Sequence, residues 1–170
     1  MNNTILIGYM GCGKTTIGIK LSYRERVAML DTDKMIEQQY EKTISDIFAT
    51  EGEAAFRQME TDMLKSILEY KDRYIISVGG GLPLRAENRE LLKKLGNVIY
   101  LRAKPDTIYE RLKNDTTRPL LQCENPQKKI TEMLAERSPI YEKAATAVVD
   151  VDGKSFEEIL SEIQGIIKTE

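Results

Sequence analysis

Gly8-Tyr9-Met10-Gly11-Cys12-Gly13-Lys14-Thr15 has the spacing G-x-x-x-x-G-K-[ST]. It follows an apolar run and opens an amphipathic stretch, the context a phosphate-binding loop requires. Glycines let successive backbone N–H groups approach one anion, and the helix that follows adds its positive end. Lys14 brings a mobile charge for the β- and γ-phosphates, and Thr15 a hydroxyl for Mg²⁺. Further along, Leu30-Asp31-Thr32-Asp33 places two carboxylates at the end of a second apolar run. One could hold Mg²⁺ through water while the other accepts a proton from an attacking hydroxyl. An N-cap for a helix starting at Lys34 accounts for one of these acids, and both roles can coexist. Gly79-Gly80-Gly81 permits close approach to a ligand or backbone with positive φ. Arg57 and Glu60 stand i, i+3 and can pair. Arg118 and Arg137 are further cations, each of which taken singly reads as a surface residue. The chain has no histidine, which removes a Ser-His-Asp triad, a Cys-His pair and a His-ligated zinc.

Elements of two kinds must position these groups. Short runs apolar throughout (Thr4–Ile7, Val27–Leu30, Tyr74–Val78, Val98–Leu101 and Ala147–Val149) suit strands buried on both faces. Amphipathic stretches lie between and beyond them: 14–25, 34–40, 45–50, 53–70, 88–95, 106–114, 127–143 and 155–168. Such alternation predicts an α/β doubly wound parallel sheet of about five strands flanked by helices. The long gap between the second and third strand runs holds several helices rather than one crossover. The polar, proline-containing stretch 115–126 reads as a lid or binding loop.

The 170 residues suggest one domain, 1–170, with no internal repeat. At 41% hydrophobic and 31% charged residues the composition is globular rather than disordered. The net charge of −2 argues against nucleic acid or an anionic membrane as the main partner. No apolar stretch reaches the roughly 20 residues of a membrane span, and no signal peptide is evident. Cys12 and Cys123 are the two cysteines, too few for a disulfide framework, so a cytoplasmic setting is expected. A monomer is expected too, because no exposed apolar stripe is obvious.

Taken in order, G-Y-M-G-C-G-K-T-T-I-G, L-D-T-D, I-F-A-T-E-G-E-A-A-F-R-Q-M-E, V-G-G-G, T-R-P-L-L and E-R-S-P-I-Y resemble the shikimate kinase family from Ile7 to about Val149. The resemblance implies a P-loop kinase-like fold with a substrate-binding helical insertion near 32–60 and a mobile lid near 112–125. It implies phosphorylation of the 3-hydroxyl of shikimate by ATP with Mg²⁺, giving shikimate 3-phosphate on the route to chorismate and the aromatic amino acids. The residues implied to bind ATP are Gly11, Cys12, Gly13, Lys14, Thr15 and Thr16 of the loop, with Arg111 against adenine, Arg118 in the lid and Lys154 near the base or ribose. Thr15 and Asp31 match the magnesium side. Asp33, Arg57, Gly79, Gly80, Gly81 and Arg137 match the substrate pocket, with Asp33 as base and the two arginines on the carboxylate. Lys14, Asp33 and Arg118 are the implied catalytic residues.

Two departures stand out: Ile19-Lys20 occupies the place of a usual arginine, and residues 22–26 lack a usual glycine. A thiol at Cys12, inside a phosphate loop, is expected to react with thiol reagents unless ATP protects it. The rival readings are another small-molecule P-loop kinase, such as a gluconate or nucleoside monophosphate kinase, and a non-catalytic nucleotide-binding module. Retention of Lys14, Asp33 and Arg118 disfavours the second.

Overall fold

The computed structural model describes residues 2–114 and 123–169. Strand β1 (Asn3–Ile7) is fully buried, as its apolar run requires. It pairs in parallel with β3 (Ile75–Ser77) on one side and β4 (Gly96–Arg102) on the other. β2 (Met29–Asp31) adds to β3, and β5 (Ala147–Asp150) to β4, giving the order β2-β3-β1-β4-β5. The expected parallel five-stranded sheet is therefore present. Its centre is apolar on both faces: Ile5, Ile7, Ile76, Val98, Ile99 and Leu101 are all inaccessible to solvent.

Eight helices are seen among the described residues: α1 (Lys14–Glu25), α2 (Thr32–Tyr40), α3 (Ile44–Glu51), α4 (Glu53–Ile67), α5 (Ala86–Leu95), α6 (Pro105–Leu112), α7 (Pro126–Ala144) and α8 (Phe156–Lys168). The long gap after β2 is filled by α2, α3 and α4. Thr43 caps α3 by accepting from Asp46 N, and Gly52 (φ 86°, ψ 169°) turns the chain directly into α4. Asn125 accepts from Lys128 N at the start of α7, and Pro126 follows where a missing N–H costs nothing.

The second strand starts later than the sequence reading places it, and two further local features stand out. Val27 and Ala28 precede the second strand instead of starting it, because Val27 N donates to Ser22 O and closes the end of α1. Arg26 takes the left-handed position there (φ 54°, ψ 43°), the place where the family's glycine is missing. Pro139 does not break α7, which runs through it. Pro139 and Ala135, whose carbonyl loses its partner, both lie on the exposed side, where water can satisfy the oxygen.

Candidate active site

Ligands of open α/β sheets bind beyond the carboxyl ends of the strands. Here the central strand β1 runs into the glycine-rich loop, β2 ends at Asp31 and β3 runs into Val78-Gly79-Gly80-Gly81. These segments line one cleft of about 250 Å³. Lys14, Thr15, Thr16, Asp31, Asp33 and Gly80 are among its walls.

The loop's bend rests on Gly11 (φ 79°) and Gly13 (φ 100°), conformations an L side chain resists. Gly13 leads into α1 without any side-chain cap, so the helix's first amides are left for another acceptor. Lys14 Nζ donates to Gly8 O at 2.7 Å and Tyr9 O at 3.1 Å, spanning its own loop. Thr15 and Thr16 are exposed at the helix start. Cys12 behaves differently from its neighbours. Its N–H donates to Tyr9 O at 3.2 Å, and the residue is 1% exposed. It shapes the loop from inside, and a thiol reagent reaches it only if the loop opens.

Arg111, on α6, lies over this loop and donates to Gly11 O at 3.1 Å. Lys154 does not join it: its ammonium pairs with Glu162 of α8 at 2.7 Å, and no described contact links it to the loop. Arg118 and the central part of the expected lid fall at 115–122, outside the described residues.

On the other side of the cleft Asp31 both ends β2 and caps α2, its Oδ1 accepting from Lys34 N at 3.2 Å. The capping and functional readings are thus compatible, since the second oxygen remains. Asp33, in the first turn of α2, has a buried Oδ1 with no hydrogen-bond partner. Burial pushes its carboxyl above the ordinary range; Asp31 adds to this, and Lys14 opposes it. The i, i+3 pair proves deeply placed. Glu60 is fully buried and accepts from Arg57 Nη1 at 2.6 Å, while its Oε2 has no partner. Burial raises its pKa to about 7, against the pull of Arg57.

The glycine turn after β3 locks these groups together. None of its three residues has a positive φ; what they provide is space. A Cβ on Gly79 would sit 2.8 Å from Asp33 Oδ1 and 3.1 Å from Glu60 Oε2, and one on Gly81 would overlap the Arg57 guanidinium. Arg137 comes from the opposite side, on α7. Its guanidinium lies 5.8 Å from the centre of the Tyr9 ring, and its charge acts on the Tyr141 hydroxyl, which donates to Gly80 O at 2.6 Å. Asp33 and Arg57 therefore meet at one glycine turn beside the phosphate loop, and Arg137 approaches from the Tyr9 and Tyr141 side.

Reading the sequence missed the burial of Glu60, the lining role of Ser77 and the part played by Tyr141. Ser77 had a signal, a lone hydroxyl closing an apolar strand. Tyr141 had only its place in the E-R-S-P-I-Y motif.

The oxygen donors Thr15 and Asp31 suit Mg²⁺, a hard cation. No group of three or more His, Cys, Asp or Glu side chains able to hold a metal occurs among the described residues.

Comparison with known proteins gives the family. The family model for shikimate kinase matches residues 10–168. A shikimate kinase of Thermodesulfovibrio yellowstonii is 44% identical over 96% of this chain and 93% of its own. One from Bacillus mycoides is 43% identical over 96% and 97%. Among solved structures, a shikimate kinase from Acinetobacter baumannii in complex with shikimate superposes with a TM-score of 0.91 at 36% identity, covering 99% of this chain and 94% of that one. A gluconokinase from Sinorhizobium meliloti, at 14% identity and a TM-score of 0.60 over 99% and 93%, shares the fold. The chain belongs to the shikimate kinase family.

Proposed function

We propose that this chain transfers the γ-phosphoryl group of ATP to the 3-hydroxyl of shikimate, a step toward chorismate and the aromatic amino acids. The observation that carries the reading is the unpartnered, buried Asp33 Oδ1 beside the phosphate loop, with Arg57 at the same glycine turn and Arg137 facing Tyr9 of the loop. The amides of Gly11, Gly13, Lys14, Thr15 and Thr16 surround the phosphates in the loop that Cys12 shapes. Arg57 and Arg137 supply planar forks that suit a carboxylate. Gly79, Gly80 and Gly81 let the ring approach the backbone.

Asp33 orients the 3-hydroxyl. As that oxygen attacks the γ-phosphorus, the bond to the ADP oxygen breaks and the hydroxyl proton passes to Asp33. Lys14 leaves its carbonyl partners for the β- and γ-phosphates. Mg²⁺, held on the protein side by Thr15 and Asp31, supplies charge neutralisation at the phosphates. Arg118 serves the transferring group from a lid near 112–125, and the helices within 32–60 form the substrate side of a single domain. Arg111 faces the adenine; Lys154 contributes only if it leaves Glu162. Cytoplasmic location and a monomeric state complete the reading. Two free cysteines support the location.

A coupled ADP-release assay tests this. Turnover should require shikimate and be absent with gluconate or CMP. Asp33→Asn should lower kcat by roughly 10²–10⁴-fold while leaving ATP binding intact. Near-normal turnover of Asp33→Asn would remove Asp33 from its role.

A further inference from the structure

Tyr141 is fully buried on α7, its ring packed at 5.1 Å from that of Tyr100 of β4. Its hydroxyl does two things at once. It donates to Gly80 O at 2.6 Å and faces the charge of Arg137, one helical turn earlier. Gly80 in turn lies against the phosphate loop, where a Cβ on it would be 3.5 Å from Gly8 O and 3.6 Å from Met10 N. The Arg137 guanidinium also faces the ring of Tyr9, in that same loop.

One phenol thus ties three parts of the cleft: the arginine, the glycine turn and, through Gly80, the phosphate loop. We infer that Tyr141 is a positioning residue that registers Arg137 to the glycine wall, so that the substrate carboxylate is held at a fixed distance from the phosphate loop. This rests on the proposed grip of Arg137 on that carboxylate. A free arginine head samples many rotamers, and ordering it at the moment of binding costs affinity. The hydroxyl removes that cost in advance. Burial pushes the phenol's pKa upward, so it remains a donor to Gly80 O across the working pH range. Tyr100 steadies the arrangement from behind, with its hydroxyl 2.8 Å from Ser138 Oγ on the same helix.

Tyr141→Phe deletes one oxygen and keeps the ring packing. It should raise the KM for shikimate roughly tenfold, the scale of one polar contact to a charged group, and leave the KM for ATP within about twofold. The decisive measurement is a double-mutant cycle with Arg137→Ala. If the phenol acts through the arginine, adding Tyr141→Phe to Arg137→Ala should change the KM for shikimate less than about twofold. An undiminished tenfold penalty on that background, an equal rise in the KM for ATP, or no effect of Tyr141→Phe alone would each overturn the assignment. If Arg137→Ala itself leaves the KM for shikimate unchanged, the carboxylate grip fails and the positioning role falls with it, a result distinct from the other three.

Discussion

Glu60 carries a guanidinium on one carboxylate oxygen and no hydrogen-bond partner on the other, with no exposure to solvent. Arg57 of its own helix, Asp33 of α2 and Arg85 ahead of α5 are the charged groups that face it. Burial and Asp33 outweigh the two arginines and raise its pKa from 4.5 to about 7. The sign of the consequence follows from linkage. Below pH 4.5 both folded and unfolded chains hold the proton, and Glu60 costs nothing. Between 4.5 and 7 the unfolded chain releases it first, so stability falls as pH rises, and above 7 the loss is complete. The slope approaches about 1.4 kcal/mol per pH unit in that window. Glu60→Gln keeps the shape without the titration. Urea unfolding of both proteins from pH 4 to 8 should show the stability difference shifting in the variant's favour across the window. A difference constant with pH would return Glu60 to the ordinary carboxylate range. The i, i+3 spacing of Arg57 and Glu60 was legible in the sequence; the burial was not. Spacing on one helix says which side chains meet, whereas Phe56, Met59 and Gly79 around the pair decide whether water reaches them.

At the scale of elements, the glycine turn after β3 is a set of contacts made possible by missing side chains, and its three positions are not equivalent. Gly81→Ala places a methyl on the Arg57 guanidinium, the movable end of a long side chain. The fold should survive while the KM for shikimate rises. Gly79→Ala presses on Asp33 Oδ1 at 2.8 Å and should lower kcat. Displacements of this kind cost on the order of 10²-fold. Gly80→Ala has nothing nearer than 3.5 Å and should stay close to wild type. Steady-state kinetics of the three variants check the pattern, and equal losses at all three would show that backbone freedom, not space, is what the turn needs. The sequence signalled the glycines but left open which property mattered, because φ is set by the strand and the 3-10 turn (Leu82–Leu84) that bracket them. Helix and strand positions were legible from periodicity. Their ends were less so, since caps such as Arg26 and the passage of α7 through Pro139 depend on local hydrogen bonds and water access.

Across the whole molecule, the strand order β2-β3-β1-β4-β5 sets the nucleotide loop on the central strand and hangs α2, α3 and α4 from the β2–β3 side. Buried apolar runs announced the sheet, but their order was not legible, because it is fixed by pairings between distant residues such as Leu6 with Ser77 and Leu6 with Ile99. The consequence is a cleft with two separable halves. On the proposed reading, phosphates are met by the loop and α1, and the acceptor by side chains from α2, α4 and α7. Binding to either half must stabilise the folded chain by mass action, about 2.7 kcal/mol at a hundredfold excess over Kd. For a chain of 170 residues that corresponds to roughly 5–10 °C in Tm. Shikimate alone, at a hundred times its Kd for the wild type, should produce this shift. The Arg57→Ala/Arg137→Ala double variant should shift by less than about 1 °C at the same concentration, yet keep its stabilisation by ATP and Mg²⁺. Thermal scans with each ligand separate the halves. Equal stabilisation of wild type and double variant by shikimate would mean that the carboxylate docks away from both arginines, and the two arginines would then need another purpose.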